Sequence, residues 1–440
     1  MGCTDKLLSL LQPVGGVFSG LSYTRTAPGE PRFDICSVTI GDLRWLLDRS
    51  NARSCRRLPV AAATLRGTGT GVSRSEACTR ALAEAVERYS TCFYDEDQLI
   101  VASAQELGND CMDLNTVPRC SAAELANPRC PLIAPDKRSR IRWVQAISLH
   151  EGRIQYVPAV MVYLFPGYKE PGERISFPIT TGCAAYTTYE GAVLRGMLEV
   201  IERDAISVVW LQRMSLPRIV VDSIPDALTE VWRRYEARVS AFEYLFLDAM
   251  TDTAVPTVYA VQTATRDPCA HTLIACASAC DYPTALAKVI EDIGALRTAF
   301  RRGVRPPDDY RNCREVLDGA AFMGRPECAK HFAFLAMSKE RRTLRSLSGD
   351  KCVSDIDRVR SILVTLVRLG MDVYVVDLTT DEAHQAGLYV VKVLIPQLQP
   401  VSFVYRARFL GHQRLYAVPD RMNVTCNAES ELNEWPQPFA

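Results

Sequence analysis

The sequence predicts a mixed α/β (α+β) fold in which helices pack on mixed sheets. Two observations carry this reading: strong helix-period stretches follow Gly71 and begin at Tyr189 and Tyr282, and short apolar runs bounded by turn residues separate them. With 440 residues, 48% of them hydrophobic, the chain is long enough to bury a large core.

Residues 1–60 are expected to pack as an N-terminal segment on a main body spanning 61–440. Leu7, Leu8, Leu10 and Leu11 mark one short amphipathic helix, and a second apolar-spaced segment runs from Leu43 to Leu47. An apolar run from Leu58 to Leu65 leads into Gly67-Thr68-Gly69-Thr70-Gly71, where the glycines suit either a tight connection or a backbone contact with an anion. Ser73, with Glu76 three residues on, fits a capping box that opens the first strong helix. Between Leu99 and Glu173, turn clusters alternate with Ile141–Leu149 and Ile154–Leu164, which predicts a sheet region. The second helix spans Tyr189–Trp210 and the third Tyr282–Phe300, with strands at Phe242–Phe246 and Thr257–Thr263 between them. Val373–Leu378 and Tyr389–Ile395 read as buried strands ahead of a loop-rich end.

Acidic and basic residues balance at 51 each, so no global field draws the chain to nucleic acid or an anionic membrane, and neither is expected as a partner. Sixteen cysteines scattered from Cys3 to Cys426 without a CxxC pair or a secretory start point to a reducing, cytoplasmic setting. Cys276 and Cys280 lack partners at ligand spacing, so no structural metal is expected. Lys6 stands where a myristoylation start needs Ser or Thr, and no apolar run approaches the roughly 18–20 residues of a membrane span.

The most informative feature occurs twice: Arg80-x-x-x-Glu84-x-x-Glu87-Arg88 and Arg195-x-x-x-Glu199-x-x-Glu202-Arg203. Helical positions i, i+3 and i+4 share a side, so each copy sets two carboxylates beside a guanidinium, turned away from the apolar face. A lone copy reads as a solvated face laced with ion pairs. Two copies facing one another bring four carboxylates together, which calls for divalent cations, and the arginines beside them suit phosphate oxygens. Carboxylates and arginines together point to Mg-ATP.

These residues resemble the YcaO family. Gly69–Ser73 through Ala81–Arg88 look like its first block, Thr180–Ala185 through Leu198–Ala205 like its second, Ala285–Glu291 with Arg297 like its third helix block, and Val391–Pro396 with Gly411–Pro419 like its C-terminal portion. The resemblance implies a YcaO-type fold with a nucleotide cleft, ATP and Mg2+ as cofactors, and activation of a peptide amide by phosphorylation. By the same resemblance, Glu84, Glu87, Glu199 and Glu202 hold Mg2+, Arg88 and Arg203 touch phosphates, and Glu291 and Arg297 complete the site. Thr70, Arg80, Thr181 and Gly294 stand where the family often has Lys, Ser, Asn and Gln; of these, Arg80 and Thr181 are placed at the nucleotide.

The chain ends Trp435-Pro436-Gln437-Pro438-Phe439-Ala440. The azoline-forming branch of the family carries a proline-rich tail that reaches the active site, so Pro436 and Pro438 are expected to extend the tail and Ala440 to deliver its carboxylate as a base; a frayed terminus is the alternative. The implied activity is that of a cyclodehydratase subunit turning Cys, Ser or Thr of a ribosomal precursor peptide into azolines. A multi-subunit complex is expected, with a leader-binding E1-like partner and an FMN-dependent dehydrogenase. A stand-alone macroamidine- or thioamide-forming relative, and a non-catalytic scaffold with a decayed nucleotide site, stay open. Arginines at Arg53–Arg57 and Arg301–Arg305 suit either an acidic leader peptide or plain solvation.

Overall fold

In a computed structural model of the chain, the described residues are 3–12, 16–41, 43, 65–268, 270–347 and 354–439. Strands β1 (Phe18–Arg25), β2 (Asp34–Ile40) and β3 (Arg66–Gly71) form an antiparallel three-stranded sheet in that order. Then come β4 (Ile100–Ser103), β5 (Arg140–Ser148), β6 (Arg153–Pro158), β7 (Cys183–Tyr186), β8 (Arg218–Val220), β9 (Phe242–Asp248), β10 (Thr257–Ala264), β11 (Thr272–Ser278), β12 (Arg341–Thr343), β13 (Tyr374–Asp377) and β14 (Tyr389–Leu394). They build a six-stranded sheet of order β4-β5-β13-β14-β7, with β6 paired to β5, and a five-stranded sheet of order β11-β10-β9-β8-β12.

The helices that matter for the site are α1 (Arg74–Ser90), α2 (Tyr189–Leu211), α3 (Asp226–Glu236), α4 (Tyr282–Phe300) and α5 (Asp355–Arg368). Each long one starts where a side chain caps it: Ser73 accepts from the Glu76 N–H, Thr188 from Gly191 and Asp281 from Thr284. The box at Ser73 closes one residue early, because the Glu76 carboxylate accepts from the Val72 N–H at 2.9 Å. Helix α1 buries Ala77, Ala81, Leu82 and Ala85 completely, and α2 packs against β14, β7, β11 and α5, its Trp210 fully buried. That makes α2 the spine between two sheets, with α1 and α4 on either side.

The Gly67-x-Gly69 alternation has a packing cause. A Cβ on Gly67 would stand 2.2 Å from the Ala81 carbonyl oxygen, and one on Gly69 would stand 2.3 Å from that of Ala77. Bare backbone on this face of β3 lets α1 lie directly on the strand.

The predicted helices and the strands after Leu99 correspond to observed elements, with shifted ends. The Ile154 run stops as a strand at Pro158, where a 3-10 turn over Ala159–Met161 follows. The N-terminal helix ends at Leu8, and Leu11 pairs with Phe18 instead. Strands β1 and β2 were not foreseen, although FSGLSYTR and DICSVTI are patterned and rich in β-branched or aromatic residues. Most of the Leu43–Leu47 and Leu58–Leu65 segments, and all of Arg53–Arg57, fall outside the described residues. No described helix is long and apolar enough to cross a membrane.

Replacing Gly69 by Val forces α1 off the sheet and is expected to cost about 1–3 kcal/mol in urea unfolding. Gly20→Val in β1, where a Cβ meets nothing within 4 Å, serves as the control and should be near neutral. Equal losses in the two variants would contradict the packing account.

Candidate active site

A cleft of about 1090 Å³ opens between α1, α2 and α4. Helix α1 supplies Arg80, Glu84 and Arg88, α2 supplies Glu199, Glu202 and Arg203, and α4 supplies Lys288, Glu291 and Asp292. Within each helix spacings of three or four residues link these positions and bring them to one side.

Glu84 is fixed by its own sheet: the Thr68 N–H donates to it at 2.7 Å and Arg88 pairs with it at 2.5 Å. Glu199 accepts from the Gly182 N–H at 3.0 Å and from Arg203 at 3.4 Å. Gly182 has φ +85°, and a Cβ there would lie 2.2 Å from the Val393 carbonyl oxygen, so only glycine presents its N–H to Glu199 in this way. Burial pushes the Glu87 carboxyl well above the usual range, and the charges of Glu199 and Glu84 push it further, while Arg88 and Lys392 oppose them. The two repeats therefore face each other, and their acids feel one another's charge.

At the other end, Glu202 is 3% exposed and accepts from the Ser278 N–H at 3.0 Å and from Lys288 at 3.1 Å. Arg80 pairs with Glu291 at 2.6 Å and with Glu76 at 2.6 Å, and donates to the Thr70 carbonyl oxygen. Burial still outweighs Arg80 and raises the Glu291 carboxyl to about 7; Asp292 is raised to about 6 by burial and the charge of Glu202.

Do these residues suit Mg2+ and a polyphosphate? Among the described residues, no three His, Cys, Asp or Glu groups converge closely enough to hold a metal by themselves. Magnesium asks for few protein carboxylates alongside phosphate oxygens and water. Glu84, Glu87 and Glu199 supply acids whose mutual repulsion a cation relieves. Arg88 and Arg203 supply donors, and the Arg203 Nε is buried without a hydrogen-bond partner. The donor set fits the pair.

Thr181 lines the cleft as expected, whereas Glu87 does not reach its lining, and neither does Arg297. It is fully buried elsewhere, paired with Glu30 at 2.7 Å and Asp267 at 2.8 Å and donating to Gln262. Six residues beyond Glu291 lie about 240° further round the helix, which turns Arg297 away from the cleft. Gly294 is explained as well: a Cβ there would stand 2.8 Å from Thr26 Cγ2, so β1's end leaves no room for a longer side chain. Pro436, Pro438 and Phe439 are buried, the Trp435 carbonyl oxygen accepts from the Trp210 indole at 3.1 Å, and the Phe439 ring lies 4.8 Å from the Arg203 guanidinium. The tail is docked at the cleft rather than frayed; Ala440 lies outside the described residues.

Sequence reasoning missed Lys288, Asp292 and Lys392. The first two flank Glu291 at helical spacing. The third was visible as a lone charge in the apolar strand YVVKVL; it is 1% exposed, with its ammonium 2.6 Å from the Ile179 carbonyl oxygen.

Glu291 and Asp292 hold protons in the fold that ordinary carboxyls, near 4, have released. Their contribution is therefore complete below about pH 4 and lost as pH rises through 6 and 7. In EDTA without nucleotide, thermal stability is expected to fall between pH 5 and pH 8. Glu291→Gln with Asp292→Asn should flatten that fall, leaving a residue from Glu30, which burial also raises to about 7, and from Glu87, which burial raises well above the usual range. An unchanged slope in the double variant would contradict this.

Residues 68–399 match the family described as YcaO cyclodehydratase, ATP- and Mg2+-binding. An uncharacterized protein of Methanothermobacter thermautotrophicus is 28% identical over 354 residues, 76% of this chain and 82% of the relative. Three solved structures share the fold. A heterocyclase in complex with substrate and cofactor has a TM-score of 0.78 at 22% identity, over 100% of this chain and 57% of that one, so this chain spans little more than half its length. YcaO from Methanopyrus kandleri bound with AMPPCP and Mg2+ has a TM-score of 0.62 at 20% identity, over 91% and 92% of the two chains. The E. coli microcin synthetase McbBCD complex has a TM-score of 0.63 at 13% identity, over 96% of each chain. With a family match covering most of its length and this cleft at its centre, the chain belongs to the YcaO family.

Proposed function

We propose that this chain is an ATP-dependent cyclodehydratase subunit that converts Cys, Ser or Thr of a ribosomal precursor peptide into thiazoline or oxazoline. The observation that carries the reading is the opposition of two glutamate-and-arginine helix faces in one cleft, within a family described as binding ATP and Mg2+.

In this reading Glu84, Glu87, Glu199 and Glu202 hold Mg2+, while Arg88 and Arg203 face the phosphates. Arg80 with Glu291 closes the far end, and Thr181 borders the nucleotide. Bound Mg-ATP supplies the phosphoryl group that turns a peptide oxygen into a leaving group. The cyclised side chain loses its S–H or O–H proton as its sulfur or oxygen adds to the preceding carbonyl carbon, the old carbonyl oxygen takes the phosphoryl group from ATP, leaving ADP, and departs as phosphate, and the amide nitrogen gives up its proton as the C=N bond forms. The protein's share is to fix donors and acids in place before reaction, in a site partly withdrawn from water. Phe439 against Arg203 supports a tail whose terminal carboxylate takes that proton.

We also propose that the chain works in a complex, with an E1-like partner that captures the precursor leader and an FMN-dependent dehydrogenase that oxidises azoline to azole. The McbBCD synthetase, a complex that shares this fold, supports this reading.

A precursor carrying 18O in the amide carbonyl before the cyclised residue should pass the label to inorganic phosphate; label retained in the product or released as water would contradict amide activation. Product mass separates azoline, which has lost water, from thioamide, which has exchanged oxygen for sulfur. Removing Ala440 alone should suppress turnover and leave the melting temperature unchanged, and an unchanged rate would remove the tail from the mechanism. Deleting 436–440 is a blunter test, because burial of Phe439 alone is worth about 1.5–3 kcal/mol.

A further inference from the structure

Beside Thr181 and Arg203 the cleft meets a second cavity of about 80 Å³, walled by β14, the segment after it, Met161, Phe177 and Phe409. At roughly 10–15 Å³ for each water, this is room for about five to eight waters, the bulk of a branched aliphatic side chain. Val200, Val393, Leu398 and Val401 make the wall apolar, so the cavity gains most from an apolar occupant. Lys392 also stands in the wall, its ammonium on the Ile179 carbonyl oxygen, which disfavours a basic one.

Ser176, Thr181 and Gln399 are the neutral polar residues of this wall, and Gln399 is held in a defined orientation. Gln399 is 1% exposed, and its Nε2 donates to the carbonyl oxygens of Arg408 at 3.4 Å and Phe409 at 3.3 Å. Turning the amide over would set its oxygen against both carbonyls, so Oε1 points the other way, and it is buried without a hydrogen-bond partner. The backbone is equally fixed: the Gln399 N–H donates to Asp204 at 2.8 Å, and Asp204 is held by Arg414 at 2.7 Å. Oε1 is closed to water, so an occupant meets the apolar part of this wall rather than a free acceptor.

We infer that this cavity is a side-chain subsite for the peptide substrate, taking a medium-sized apolar residue next to the one that is cyclised. The inference rests on the function proposed above and names the sequence context that this site selects. Ile179, Thr181 and Arg203 wall both the cleft and the cavity. Neighbouring residues of an extended peptide are about 3.3 Å apart, so one amide in the cleft brings the adjoining side chain to the cavity.

The probes are N-acetyl-L-leucine N-methylamide and its glycine counterpart, titrated against the full chain with and without Mg-AMPPCP and followed by ligand-observed NMR. The leucine amide should bind about tenfold tighter or more. Met161→Trp, which fills the cavity from a partly buried wall position, should erase the leucine preference. Equal binding of the two amides, binding of neither, or a leucine preference that survives Met161→Trp overturns the subsite. Loss of AMPPCP affinity in Met161→Trp overturns it too, by giving the cavity to the nucleotide. Calorimetry with Mg-AMPPCP on the same samples separates the two claims: nucleotide binding without leucine preference sinks the subsite alone, and leucine preference without nucleotide binding sinks the ATP reading alone.

Discussion

Glu87 and Glu199 belong to different helices and carry like charge, and the fold brings them close enough for each to feel the other. Such an approach is unfavourable unless protons or cations share the site. The chain supplies part of the answer itself: Arg88 and Lys392 oppose the charge at Glu87, Lys288 holds Glu202, and Arg80 holds Glu291. Arg80 and Lys288 thus neutralise part of the far end, where Glu202, Glu291 and Asp292 stand, from within. At the other end Glu84, Glu87 and Glu199 meet Arg88, Arg203 and Lys392, an even count that in the proposed reading receives a metal together with its phosphates.

Holding repelling groups together requires a rigid frame. Helix α1 lies directly on β3 because Gly67 and Gly69 carry no side chain, and α2 is tied to the C-terminal segment by a buried network in which Arg414 grips both Asp204 and Asp252. Removing either side of such a network strands a buried charge, which is costly. The same network seats Gln399, and the Trp210–Trp435 hydrogen bond brings the tail beside Arg203. One scaffold therefore positions the acids, the tail and the neighbouring cavity together.

The heart of the site was legible because helical spacing is local: a nine-residue pattern at i, i+4, i+7 and i+8 declares its face without knowledge of the fold, and its repetition hints at a shared purpose. Arg297 was misplaced for the same reason, since its angle on α4 contradicted its neighbourhood in sequence. Lys288, Asp292 and Lys392 escaped notice because their role depends on what lies across the cleft. Strand β1 was hidden by its largely exposed pattern, and β2, though mostly buried, pairs with β3, a glycine-rich segment that scarcely resembles a strand. The departures at Arg80 and Gly294 acquire reasons only in three dimensions, one as an ion pair to Glu291 and the other as a close approach to Thr26.

In the proposed reading, Glu87 and Glu199 come together to share a cation with a bound nucleotide. Calorimetric titration of AMPPCP into the wild type, Glu87→Gln, Glu199→Gln and the double variant, with and without Mg2+, tests it directly. The account predicts binding that requires Mg2+, is largely lost in either single variant and falls little further in the double, because both carboxylates serve one ion. Binding indifferent to Mg2+ and to both substitutions would contradict it.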